Sequence, residues 1–110
     1  MSNERLRLHN MRKSTTFSFE HQGISFHGTY STFESGTVAE LFIATNKAGS
    51  DLDACVRDLG VTASLALQFG CSVETLSHAL LRNADGSAAT PLGQALDIIA
   101  KQEGEEPIGA

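Results

Sequence analysis

The chain has 110 residues, 41% hydrophobic and 19% charged, a balance that builds one modest core and excludes a disordered polymer. No apolar run approaches the ~20 residues of a membrane span. The N-terminus lacks the basic-then-apolar layout of a signal peptide, so a soluble cytoplasmic protein is expected. Net charge is −5, with Arg5, Arg7, Arg12 and Lys13 against Glu4 giving +3 over residues 1–13 and −8 elsewhere, so a broad nucleic-acid face is disfavoured.

Residues 1–14 read as a basic irregular arm, a solvated leader or a contact for an acidic partner through Arg5, Arg7, Arg12 and Lys13. From Thr15 the pattern has a period of two. Gln22-Gly23 is a two-residue hairpin turn. Pairing across it sets His21 opposite Ile24, Phe19 opposite Phe26 and Phe17 opposite Gly28. Phe17, Phe19, His21, Ile24, Phe26 and Tyr30 then share one face, and Ser18, Glu20, Ser25, His27, Thr29 and Ser31 the other.

Glu34-Ser35-Gly36 makes the second turn, before a third strand in "TVAELFIAT". A two-residue Ser35-Gly36 loop aligns Leu41 with Tyr30 and Ile43 with Gly28. A three-residue loop with a glycine bulge shifts the pairing by one and sends Phe42 inward. Three large apolar residues in a row, Leu41 to Ile43, suggest a strand covered on both faces, either central or docking a helix.

The helical half starts at Ser50, an N-cap with Asp51 and Asp53 in the first turn, where the helix dipole favours carboxylates. Leu52, Cys55, Val56, Leu59, Ala63, Ala66 and Leu67 form its apolar stripe, and Gly70 stops it, giving a long central helix over about 51–69 packed on the sheet. "GVTASLALQF" is apolar nearly all round, which places that half at the centre of the fold; Gly60 inside it implies close approach of another backbone. Ser72 caps a second helix facing inward through Val73, Leu76, Ala79 and Leu80. Thr90 and Pro91 open a third with the stripe Leu92, Ala95, Leu96 and Ile99. Residues 103–110 read as a frayed acidic tail. The fold class is α+β: a three-stranded antiparallel meander followed by three helices, one domain over 15–102.

Chemistry is sparse. The four histidines show no HxH, HxxxH or HExxH spacing and the two cysteines no CxxC, so neither metal nor cofactor is expected. Cys55 and Cys71 read as small hydrophobes, and an acidic first turn raises rather than lowers a nearby thiol pKa. Asp51 and Asp53, two apart on a helix, do not face each other as an acid/base pair. Glu40 interrupts an apolar strand, with Arg57 or Lys47 as candidate partners. No catalytic residue is assigned.

The ordered set Ala39–Ile43 (AELFI), Lys47–Ser50 (KAGS) and Ser64–Gly70 (SLALQFG) resembles the TSCPD-type C-terminal accessory domain of adenosylcobalamin-dependent (class II) ribonucleotide reductases, over roughly residues 5–100. The cysteine motif that names that domain is absent. The resemblance implies a free-standing accessory module without reductase activity of its own, binding a reductase or another nucleotide-metabolism protein. Small-ligand or nucleotide binding, nucleic-acid contact through the basic arm, and a homodimer stand as alternatives.

Overall fold

The computed structural model describes residues 11–104, excepting the side chains of Met11 and Arg12. It is α+β: strands β1 (Met11–His21), β2 (Ile24–Phe33) and β3 (Val38–Thr45), then helices α1 (Asp51–Gln68), α2 (Val73–Ala79) and α3 (Pro91–Gln102). The antiparallel sheet has the order β1-β2-β3, so β2 is central and β3 is an edge strand that docks a helix. No helix among the described residues is long and apolar enough to cross a membrane.

The first hairpin has the register read from the alternation: His21 faces Ile24, Phe19 faces Phe26 and Phe17 faces Gly28. Gln22 (φ 51°) and Gly23 (φ 79°) both take the left-handed conformation, matching a turn whose twist suits the flanking strands. Gly28 is a packing requirement: a Cβ there would lie 2.6 Å from the Phe17 ring. Phe17 and Phe19 stack at 5.8 Å, and Phe19 and Phe26 at 5.4 Å.

The strand begins at Met11, earlier than the Thr15 start expected from the phenylalanines, so the basic arm does not extend to residue 14. Backbone pairing with β2 carries the strand past the end of the apolar alternation: Ser14 pairs with Ser31 and Lys13 with Thr32, and a register shift follows at Arg12.

At the second turn both readings hold in part. The loop is three residues long: Phe33 donates to the Thr37 carbonyl at 2.8 Å, and Gly36 donates back to Phe33 at 2.9 Å. A compensating shift then passes over Ala39, so Ser31 faces Glu40 while Thr32 faces Val38. Two one-residue offsets cancel. Leu41 therefore meets Tyr30, Ile43 meets Gly28, and Phe42 points outward, half exposed.

One core lies under the inner sheet face. Phe17, Phe26, Tyr30, Leu41 and Ile43 meet Val56, Ala63 and Leu67 of α1 and Leu92, Ala95, Leu96 and Ile99 of α3. Ser72 and Thr90 cap α2 and α3 as read, their hydroxyls accepting from Thr75 and Gly93 backbone N–H groups. Ala79 is exposed, because α2 is only 7 residues long and Ser77 takes its buried face. Arg82 ties the loop before α3 to that helix through a bidentate pair with Asp97, at 2.6 and 2.7 Å.

Glu103 belongs to the fold and not to a frayed tail. It is the C-cap of α3 and accepts the Tyr30 hydroxyl at 2.6 Å. Burial and then the Glu103 carboxylate push the Tyr30 pKa up to about 12. Tyr30 is the sole tyrosine and the chain has no tryptophan, so tyrosinate absorbance reports this one group. The expected titration midpoint lies near 12 and moves down in Glu103→Gln. A midpoint at the ordinary tyrosine value, near 10, refutes the contact. The raised pKa adds stability below the unfolded value, lost as pH climbs through the folded one.

Candidate functional site

Helix α1 lies along the outer edge of β3 and satisfies that edge with side chains. The Thr45 N–H donates to Asp53 Oδ1 at 2.9 Å. The Leu41 N–H donates to Ser64 Oγ at 2.9 Å, and the same hydroxyl donates to the Leu41 carbonyl at 3.0 Å. Gln68 Nε2 donates to the Ala39 carbonyl at 3.0 Å. Between these contacts Gly60 presses on the strand, where an added Cβ would stand 3.1 Å from the Leu41 carbonyl oxygen. An edge strand is a template for unwanted pairing; here a helix closes it.

This arrangement corrects the helical stripe. The buried residues of α1 are Asp53, Val56, Gly60, Ala63, Ser64, Leu67 and Gln68, whereas Cys55 and Leu59 are exposed. The apolar run to Phe69 is not central to the fold: Val61 is 50% and Leu65 39% exposed, beside Phe42 at 50%. A helix docked on an edge, instead of a face, buries a narrow strip, and the polar members of that strip bind the strand backbone.

Asp53 is more than a first-turn acid. Its N–H is capped by Ser50 at 3.1 Å, and its carboxylate takes the Thr45 N–H and the Arg57 Nε at 2.8 Å. The Thr45 N–H and then Arg57 hold its pKa below the ordinary aspartate range. Arg57 is therefore the partner of Asp53, not of Glu40.

The opposite edge is different. A two-residue hairpin makes His21 and Ile24 a hydrogen-bonded pair, and bonded pairs alternate from there. The N–H and C=O groups of Ser14, Thr16 and Ser18 thus point away from β2, along the outer edge of β1. Among the described residues, only the end near the turn is tied down. Gln94 Nε2 donates to the Glu20 carbonyl at 2.9 Å, and the His21 ring contacts Gln94 Oε1 and, at 3.2 Å, the Ala89 carbonyl. Lys13 stands exposed at the other end of this edge, and Arg12 follows it at the register shift. Arg5 and Arg7 lie outside the described residues.

Depressions mark the surface formed by the described residues. One, of about 240 Å³, opens on the outer sheet face beside α1, among His27, Phe42, Ala44, Arg57 and Val61. A wider one, of about 520 Å³, lies among the second turn, Cys71, Val73, Ile99 and Glu103. Cys71 is half-buried, its thiol facing the Ser72 carbonyl at 3.6 Å. Among the described residues no group of three His, Cys, Asp or Glu side chains could hold a metal ion. His21 and His27 occupy opposite sheet faces, and His78 pairs with Glu74 on α2.

Sequence reasoning missed the edge-binding roles of Asp53, Ser64 and Gln68. Their spacing held the signal: with Gly60 they fall on the same helical face as Val56, Ala63 and Leu67. Polar residues on a buried face need partners, and an edge strand supplies them. A scan of family models, a search of curated proteins and a search of solved structures each return no match to this chain.

Proposed function

We propose that the chain is a non-catalytic interaction module that receives an extended segment of a partner protein along the open edge of β1. The observation that supports this reading is an asymmetry. Side chains of α1 bind the backbone of β3, while β1 presents Ser14, Thr16 and Ser18 backbone groups outward over a strand of 11 residues. Strand addition uses such an edge: main-chain bonds give affinity, and alternate side chains give selectivity. Lys13 places positive charge at one end of the edge, and Arg5, Arg7 and Arg12 precede it in the sequence, a run of charge that suits an acidic partner segment.

The resemblance of the AELFI, KAGS and SLALQFG blocks to a reductase accessory domain directs the choice of partner: a ribonucleotide reductase first, another nucleotide-metabolism protein second. Affinity capture from native cells, comparing the chain with Thr16→Pro, tests the reading. Proline at 16 deletes an outward N–H and no backbone bond to β2, and of the side-chain bonds only the exposed Thr16–Thr29 hydroxyl contact at 3.4 Å, so the fold survives and strand addition does not. Ser18→Pro repeats the test at the next outward position. The expected result is loss of the captured reductase in both variants with unchanged circular dichroism. Equal capture by all three proteins overturns the proposal, and concentration-dependent self-association replaces the partner with a second copy.

A further inference from the structure

We infer that the depression beside α1 is a binding site for a compact carboxylate carrying one apolar ring, separate from the edge of β1. Its floor is Ala44, the small member of the pair His27–Ala44 on the outer sheet face. The next pair, Thr29–Phe42, raises one wall, and Val61 from α1 raises another. Phe42 and Val61 are each 50% exposed, so both hold apolar surface in water beside the same small residue. At about 240 Å³ the volume falls below the ~300–1,000 Å³ usual for drug-sized ligands and suits a single ring with one acid group.

The polar end is Arg57. Its Nε donates to Asp53 Oδ2 at 2.8 Å, and Asp53 is itself fixed by the Thr45 N–H. That chain of contacts orients the guanidinium plane from the helix side. Among the described residues its terminal nitrogens donate to nothing, which leaves two parallel N–H groups for a bidentate carboxylate. His27 borders the cavity from β2 and can accept or donate one further hydrogen bond. Ring against Phe42 and Val61, carboxylate on Arg57: the lining holds the two halves of one amphiphilic anion. A neutral analogue keeps the apolar contact and loses the charge-assisted one.

The test titrates 15N-labelled chain with 4-fluorobenzoate and with 4-fluorobenzamide, read by amide shifts and by 19F NMR. Expected are shifts at His27, Phe42, Ala44 and Val61, with the benzoate at least tenfold tighter than the amide. Arg57→Gln should erase that preference and Arg57→Lys restore part of it. Ala44→Leu, which fills the floor, should abolish binding of both. No shift at millimolar benzoate, equal affinity for the two probes, or binding that survives Ala44→Leu overturns the inference. Ser14→Pro, at an outward position of the β1 edge whose partner Ser31 does not border the cavity, should bind the benzoate as the unaltered chain does, so failure of the edge proposal and failure of this one are read separately.

Discussion

Replacing Gly60 by valine should lower stability by about 3 kcal/mol, and replacing it by alanine should change stability by less than about 1 kcal/mol in either direction. The difference follows from the contact of α1 with the edge of β3. A Cβ at 60 meets the Leu41 carbonyl oxygen at 3.1 Å and the Ile43 nitrogen at 3.4 Å. Both neighbours are backbone, so neither can rotate away. For alanine, the gain of roughly 1 kcal/mol in helix propensity over glycine offsets a contact that needs a few tenths of an ångström of relief. Valine adds two more carbons on a β-branched centre, where overpacking costs ~1–3 kcal/mol and branching further lowers helix propensity. Pushing the helix off the strand also lengthens the Ser64 and Gln68 bonds to Leu41 and Ala39. Against a net stability of ~5–15 kcal/mol this is a large fraction. Urea midpoints of the two variants check it. Valine as stable as alanine would show that α1 does not press on β3 through this residue.

The sequence makes the first hairpin legible residue by residue, because alternation and a two-residue turn leave a single register that puts Phe17, Phe19 and Phe26 on one side. The helix caps are legible for a similar local reason: Ser50, Ser72 and Thr90 each accept the N–H three residues on. What periodicity misses is what lies across from each element. Cys55 and Leu59 fit an apolar stripe by spacing, yet α1 meets an edge rather than a face, and they remain in water. Tyr30 and Glu103 are 73 positions apart, and nothing local to residue 103 distinguishes a helix cap bonded to the core from the start of a loose tail. The second turn is instructive in another way. Either loop length taken alone predicts a different inward residue, and the answer depends on a second irregularity at Ala39 with no marker of its own in the sequence.

The candidate surfaces divide along the same line. The open edge of β1 follows from hairpin geometry and strand order, both rooted in the pattern of "TTFSFEHQGISFHG". The carboxylate site does not. It needs Arg57 brought from α1 to Ala44 and Phe42 of β3, and it needs Asp53 to turn the guanidinium, which only the docking of the helix on the edge supplies.

Removing the Ser64 hydroxyl should cost about 2–3 kcal/mol and open the β3 edge to pairing. Ser64 is 6% exposed and Leu41 fully buried, so water is not available to replace the lost partner. In Ser64→Ala the Leu41 N–H and C=O both lose their hydrogen bonds, at ~1–3 kcal/mol for each group left unpaired, while alanine returns roughly 0.5 kcal/mol of helix propensity. Thr62→Ala is the matched control. Its hydroxyl bonds the Asp58 carbonyl within the same helix and is exposed, so that change should stay within about 0.5 kcal/mol of zero. A second readout separates edge closure from simple packing loss: Ser64→Ala should sediment as a concentration-dependent mixture, and Thr62→Ala should not. If Ser64→Ala matches the unaltered chain in both stability and sedimentation, α1 does not close the edge. If it behaves as expected, Ser64 and Gln68 have a structural role. The block SLALQFG, one of the three whose ordered set carries the family resemblance, then marks a helix that closes a sheet, which leaves the opposite edge of β1 for the proposed strand addition.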